Sequence, residues 1–315
     1  MTYAVYPYLP DSEYYQDLIE KRWRQIEPDI RLVRADWNCY DEAVPEGIDV
    51  IMYDSMMRNT LIEAGWIQPI EKGAVQDVEN IYAFALDGFE SDGRLYGIPV
   101  FLCGYFLIYD KDCGILAEAD HITDLAGESA LLVISSEDPG DREQFALAIL
   151  ADTLGEEKPA EGSGDTDEIM ELIDRLAVED HKKDYSKDVT LAYDRGIGSG
   201  YIGYSETMRF LDGRISETDI KTISFSDQDD LPRMYVDAAA ITGEAEGERY
   251  EKALELINVM AEADILAEVS VREGAPQYLL LARPSAYDGL VDRFPLYTQL
   301  EKIAADENNR VILGP

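Results

Sequence analysis

Histidine is almost missing from these 315 residues: there are two, His121 and His181. Cysteine is nearly as rare, with Cys39, Cys103 and Cys113 and no Cys-x-x-Cys pair. A zinc site or a Cys–His dyad therefore has few possible members, and neither a metal nor a cofactor is expected. His181 lies in EDHKKD, which reads as a solvated face. An odd count of three thiols allows at most one bridge and leaves one over. Basic residues are scarce too, 27 Lys and Arg against 65 Asp and Glu, for a net charge of −38. Such a field repels nucleic acid and anionic membrane surfaces and gathers small cations, so a cationic ligand is favoured over a phosphate. An acidic surface that serves only solubility is the plain alternative. No run approaches the ~20 apolar residues of a membrane span, and no signal peptide is seen. The expectation is a monomer without nucleic-acid partner or membrane insertion. It is secreted or periplasmic if a leader was removed, and otherwise cytoplasmic.

What is present is enough apolar material, 46% hydrophobic with 10% aromatic, for a full core and two domains. TYAVYPYLP alternates like a strand, and Asp11 or Ser12 then opens a helix with Tyr15, Leu18, Ile19, Trp23 and Ile26 on one face, ended by Pro28. DIRLVRADW and IDVIMYDSM read as the next strands. Strand, helix, strand with another strand close behind is the pattern of a parallel sheet wound by right-handed crossovers. Asp54 then falls at the carboxyl end of the third strand, and Tyr6 and Tyr8 near that of the first. Open α/β sheets place ligands at those ends.

A helix is expected from Met57 to Ala64, then extended chain leading to YGIPVFLCGYFLIYD, Tyr96 to Asp110. This apolar run around Cys103 reads as a link between lobes and as a candidate site for a nucleophile. A cysteine in such a run is more often a small buried hydrophobe. Beyond it come a strand at LLVISSEDP, a helix from Asp141 to Leu154, a polar loop, and a helix from about Asp167 to Val178. VTLAYDRGIGSGYIGYSETMRFL reads as strand, glycine-rich loop, and a glutamate entering a helix. IKTISFSDQD and RMYVDAAAITG are strands, and helices are expected around Tyr250 to Met260 and Leu296 to Ala305. The order is that of a two-lobed α/β chain with a central cleft and several hinge crossings. It resembles a type II periplasmic solute-binding protein. One lobe comprises 1–107 plus about 236–280, the other 108–235 plus about 281–315.

GIGSG at Gly196 to Gly200 lacks the spacing of a dinucleotide loop. Glycine there either permits a tight turn or lets backbone approach a ligand. Glu206 stands out because Tyr201, Tyr204 and Met208 flank it. A half-buried carboxyl in that setting has a raised pKa, which a general base near neutral pH requires. In so acidic a chain a solvated carboxylate is the ordinary alternative.

Seven blocks, in order along nearly the whole chain, resemble thiaminase I (thiamine pyridinylase): YPYLPD, DWNCYDE, DVIMYD, LYGIPVFLCGYFL, GYIGYSETM, MYVDAAAIT and QYLLLARPSAYDGL. The resemblance implies a solute-binding-like fold that holds the aminopyrimidine of thiamine. It makes Cys103 the nucleophile and Glu206 its base. Tyr6, Tyr8, Asp54, Tyr204, Tyr235 and Asp237 become pocket residues. Gly104 and Tyr105 depart from the small polar residues expected after the nucleophile.

The implied reaction displaces the thiazole of thiamine by an amine, pyridine or thiol through a covalent cysteine–pyrimidine intermediate. The substrates are thiamine and a small nucleophilic co-substrate. The acidic field raises the pKa of a thiol, so a neutral Cys103 deprotonated by Glu206 during attack is expected rather than a resting thiolate. The substrate's cationic thiazolium suits an acidic pocket with tyrosine faces. A non-catalytic binding protein for thiamine, a pyrimidine or another small cation, polyamines included, is the competing reading.

Overall fold

In the first strand, Thr2–Val5, Tyr3 and Ala4 have no exposed surface, and all five residues of Val50–Asp54 are buried. Strands covered on both faces belong inside a sheet. The computed structural model describes residues 1–40, 43–134, 171–178, 187–223 and 233–314. Thr2–Val5 pairs in parallel with Val33–Ala35 on one side and Val50–Asp54 on the other. Arg233–Ile241 runs antiparallel to Val50–Asp54, Ile98–Cys103 lies antiparallel beyond it, and Leu280–Leu281 closes that side. Arg310–Val311 also pairs with Arg233–Ile241. The strands Thr2–Val5, Val50–Asp54 and Ile98–Cys103 therefore end on the same edge of the sheet.

The crossover helix is Ser12–Ile26, with Tyr15, Leu18, Ile19 and Trp23 buried at helical spacing. It stops before Pro28, whose ring cannot continue an α-helix, and the Trp23 indole donates to the Ile30 carbonyl. Its inner face packs on Glu248–Met260 and Ala263–Val269, where the Tyr15 hydroxyl donates to the Met260 carbonyl at 2.7 Å. Each Leu or Ile wholly buried here contributes about 1.5–3 kcal/mol.

Pro99 lies inside Ile98–Cys103, where a proline removes a ladder donor. The register explains its tolerance. Ala238 faces Pro99 and Asp237 faces Phe101, so Val100 is an extra residue and the pair carries a β-bulge.

The chain divides into two compact units. The first holds Met1–Cys103, Met234–Tyr297 and Ala304–Pro315, and the second holds Gly104–Arg233 and Thr298–Ile303. YGIPVFLCGYFLIYD is thus two strands, with the change of unit at Cys103/Gly104 between them. In the second unit Phe106–Asp110 is flanked by Thr218–Lys221 and Gly200–Gly203, both antiparallel, and Leu132–Val133 lies parallel to Gly200–Gly203. Its apolar core includes Leu107, Leu116, Leu125, Leu132, Leu172, Ile173 and Leu176.

Two local expectations differ from the structure. VTLAYD is not a strand: Lys187–Asp194 is a helix, with Val189, Thr190, Ala192 and Tyr193 buried at the spacing of a helical face. Contacts on that face outweigh the strand preference of Val and Thr. GYIG is not loop but the strand Gly200–Gly203. Before it, Gly196 and Gly198 adopt φ of +88° and +64°, so these glycines serve a tight turn. Arg214 pins that turn, donating to the Tyr193 and Gly198 carbonyls and pairing with Asp110 at 2.5 Å. The expected helix Asp141 to Leu154, part of the LLVISSEDP strand, the start of the helix at about Asp167, His181, and the end of IKTISFSDQD lie outside the described residues.

Candidate active site

Cys103 and Asp54 are the last residues of their strands, and Arg233–Ile241 runs between them. Its register sets Tyr235 opposite Cys103, and Asp237 opposite both Phe101 and Asp54. Residues directly across a ladder share a face, as do residues two apart. Cys103, Tyr235, Asp237 and Asp54 accordingly form one patch at the edge where the strands end. Cys103 is half-buried, whereas Asp54 and Asp237 are only 7% and 6% exposed.

Both buried acids are hydrogen-bonded. Tyr6, one residue past the first strand, donates its hydroxyl to Asp237 Oδ1. Asp54 Oδ1 accepts from the Met56 amide at 2.7 Å, and the Tyr40 hydroxyl also bonds the Asp54 carboxylate. Burial pushes the Asp54 carboxyl above its ordinary pKa, against the pull of those donors and of Ser55. Burial, then the charges of Asp237 and Asp54, push the Tyr6 hydroxyl well up, so it remains a donor. Burial likewise raises the Cys39 thiol to about 12, against a bond from the Asp54 backbone, which leaves Cys39 unreactive near neutrality.

Above these acids Tyr6, Tyr8 and Tyr40 form a triangle of rings, with centroids 6.2, 6.4 and 5.9 Å apart. Tyr8 is 65% exposed and Tyr40 45%. Tyrosine faces beside carboxylates favour a flat cation. Tyr40 was not singled out in the sequence; its one signal was its place beside Cys39 in DWNCYDE.

In the second unit Tyr204 follows the strand Gly200–Gly203 and caps the 3₁₀ turn Ser205–Phe210 that carries Glu206. Glu206 is half-buried. Burial raises its carboxyl above the ordinary range, while its own amide, the Arg209 charge and the Ser205 hydroxyl pull it down. The Tyr204 ring stacks on Tyr105, 4.8 Å between centroids at 27°, and its hydroxyl donates to that of Tyr105 at 2.9 Å. In the sequence Tyr105 stands out only as a departure from the pattern that the resemblance implies. The structure thus brings Cys103, Tyr235, Asp237, Asp54, Tyr6 and Tyr8 together in one unit, and places Tyr204 with Glu206 in the other. Among the described residues no cluster of three or more His, Cys, Asp or Glu could hold a metal, and no helix is long and apolar enough to cross a membrane.

No family model matches the chain. Thiaminase-1 of Paenibacillus thiaminolyticus is 29% identical over 343 residues, covering 99% of this chain and 83% of the relative. The structure of Clostridium botulinum thiaminase I in complex with thiamin matches with a TM-score of 0.88 at 26% identity, over 100% of this chain and 94% of the other. The maltodextrin-binding protein MalE1 of L. casei BL23, at 13% identity, matches with a TM-score of 0.69 over 100% and 88%, a likeness of fold alone. A sequence relative and a solved structure agree along nearly the whole length, and the wider fold is that of solute-binding proteins: the chain is a thiaminase I homologue with a type II periplasmic-binding-protein-like fold.

Proposed function

We propose that the protein is a thiamine-degrading transferase that exchanges the thiazole of thiamine for a small nucleophile, an amine, pyridine or thiol. The observation that carries this reading is the thiol of Cys103 at a strand end, paired across the ladder with Tyr235 and beside the buried Asp237 and Asp54, in a chain similar throughout to a thiamin-bound thiaminase I.

The residues support the following roles. Cys103 loses its proton to Glu206 as its sulfur adds to a carbon of the pyrimidine ring. The electron pair displaced from the ring expels the thiazole from the bridging methylene, and the thiazolium nitrogen takes up that pair and leaves neutral. The co-substrate then adds to the methylene carbon, an amine or thiol releasing its proton to solvent and pyridine, which has none to lose, leaving a cationic product. The returning electrons restore the aromatic ring and break the carbon–sulfur bond, and Glu206 returns its proton to the departing Cys103 sulfur. A carboxyl with a raised pKa suits such a proton carrier. Asp54 and Asp237 accept from the exocyclic amine and from a protonated ring nitrogen, which makes the ring more electrophilic. Tyr6 holds Asp237 for that task. Tyr8, Tyr204 and Tyr235 supply ring faces for the pyrimidine and thiazolium.

The test is consumption of thiamine by the purified protein with pyridine or aniline present, followed by chromatography of the exchanged product. Loss of thiamine with formation of the pyrimidine adduct of the added base is expected. Binding of thiamine without consumption would establish the binding-protein reading instead.

A further inference from the structure

Tyr105 has no part in the chemistry above, yet its surroundings are built around Tyr204. In the antiparallel pair of the second unit Phe106 faces Gly203, so the next residues outward are Tyr105 and Tyr204. Their rings stack at 4.8 Å and their hydroxyls are joined by a 2.9 Å hydrogen bond. Tyr105 also packs against the apolar core that contains Leu107 and Tyr109, so the platform under Tyr204 is itself anchored. The backbone of Tyr204 is held separately: its carbonyl accepts from the Thr207 hydroxyl at 2.6 Å, and that hydroxyl also meets the Tyr201 hydroxyl at 3.0 Å. The main chain of Tyr204 is thus bonded by Thr207, and its ring is both stacked on and hydrogen-bonded to Tyr105.

We propose that Tyr105 is a positioning residue that fixes the plane of the Tyr204 ring against which the flat heteroaromatic substrate is held. The inference rests on the thiamine-exchange reading. An aromatic pair of this geometry restricts tilting and sliding of each ring. Loss of the platform removes the stack and the hydroxyl hydrogen bond while the backbone hold on Tyr204 stays, so substrate binding weakens before the chemistry does. Tyr105 stands two residues after Cys103, and Tyr204 two before Glu206, so the pair also ties the segment following the nucleophile to the turn bearing the base.

The experiment compares steady-state kinetics of the wild type with Tyr105→Phe, Tyr105→Leu, Tyr204→Leu and the Tyr105→Leu/Tyr204→Leu double variant. Tyr105→Leu is expected to raise the KM for thiamine roughly three- to tenfold with kcat within about twofold. Tyr105→Phe keeps the stack and restores a near wild-type KM. Because Tyr105 acts through Tyr204, the double variant matches Tyr204→Leu alone. Tyr105→Met replaces the leucine variant if that does not fold. An unchanged KM in the leucine or methionine variant, a phenylalanine variant as impaired as leucine, or additive effects in the double variant would each overturn the inference while leaving the exchange activity standing. A wild-type protein that neither binds nor consumes thiamine overturns both.

Discussion

Asp54 and Asp237 stand directly opposite each other in neighbouring antiparallel strands, both almost wholly buried. Two carboxylates at a paired position, whose Cβ atoms are ~5 Å apart in such ladders, repel one another when both ionise. Each has its own tyrosine donor, Tyr40 for Asp54 and Tyr6 for Asp237. The arrangement holds two carboxyl groups side by side out of water, at a cost to folding.

Asp54→Asn tests that cost. Burial raises the pKa of Asp54 in the folded state. A group so shifted contributes its stability fully below the unfolded carboxylate pKa of about 4 and loses it as pH rises through the folded value. Near neutrality the neutral amide therefore has the advantage, and the variant should melt a few degrees above the wild type. The difference should vanish near pH 3, where both side chains are uncharged. Thermal unfolding across pH 3 to 7 reads this directly, and a gap independent of pH would refute it. Thiamine binding by the variant should weaken at the same time.

Cys103→Ala should cut thiamine consumption by about 10³-fold or more while ligand binding stays measurable by calorimetry. In the wild type, mass spectrometry after an acid quench should find the pyrimidinylmethyl group on Cys103. Cys39, only 2% exposed, should stay unmodified. Undiminished turnover in the alanine variant would remove Cys103 from the mechanism.

Glu206→Gln should lower kcat by ~10²–10⁴-fold with little change in melting temperature. In the wild type, kcat/KM should rise with pH as Glu206 loses its proton, with its midpoint above the ordinary glutamic acid value of about 4.3. The pH–rate profile of the variant should lack that limb. A variant within a few-fold of the wild type would show that Glu206 carries no proton.

Gly200→Ala probes the floor of the second unit. A Cβ there would lie 2.8 Å from the Ile108 carbonyl oxygen and 3.0 Å from Leu116. Backbone cannot yield as a flexible side chain does, so a loss of ~1–3 kcal/mol in denaturant unfolding is expected. An unaltered midpoint would show that the two strands separate easily.

The order of elements around the first sheet was legible because its signals are local. Alternation marks Thr2–Val5, a helical stripe and Pro28 bound Ser12–Ile26, and a run of buried residues ends at Asp54. Lys187–Asp194 was misread because Val189 and Thr190 carry strand preference locally while their neighbours in space decide otherwise. The partnership of Tyr235 with Cys103, and of Tyr105 with Tyr204, depends on register between segments about a hundred residues apart or more. No local pattern encodes such a register. Tyr40 escaped notice for the same reason, since its value lies in meeting Asp54, Tyr6 and Tyr8.

That Val100 is bulged rather than paired decides which side of the sheet the thiol occupies. Counting from Ala239 opposite Ile98, an unbroken ladder would set Leu102 across from Tyr235 and turn Cys103 to the far face. The bulge reverses the parity of the strand midway, so that its first half follows one alternation and its last residues the other. Were Val100 paired in the ladder instead of bulged, isobutyl would replace sulfur on the face that carries the two aspartates, with no change in the side chains themselves. The face on which the sulfur lies is in this sense set by how one residue is accommodated in the ladder rather than by side-chain chemistry.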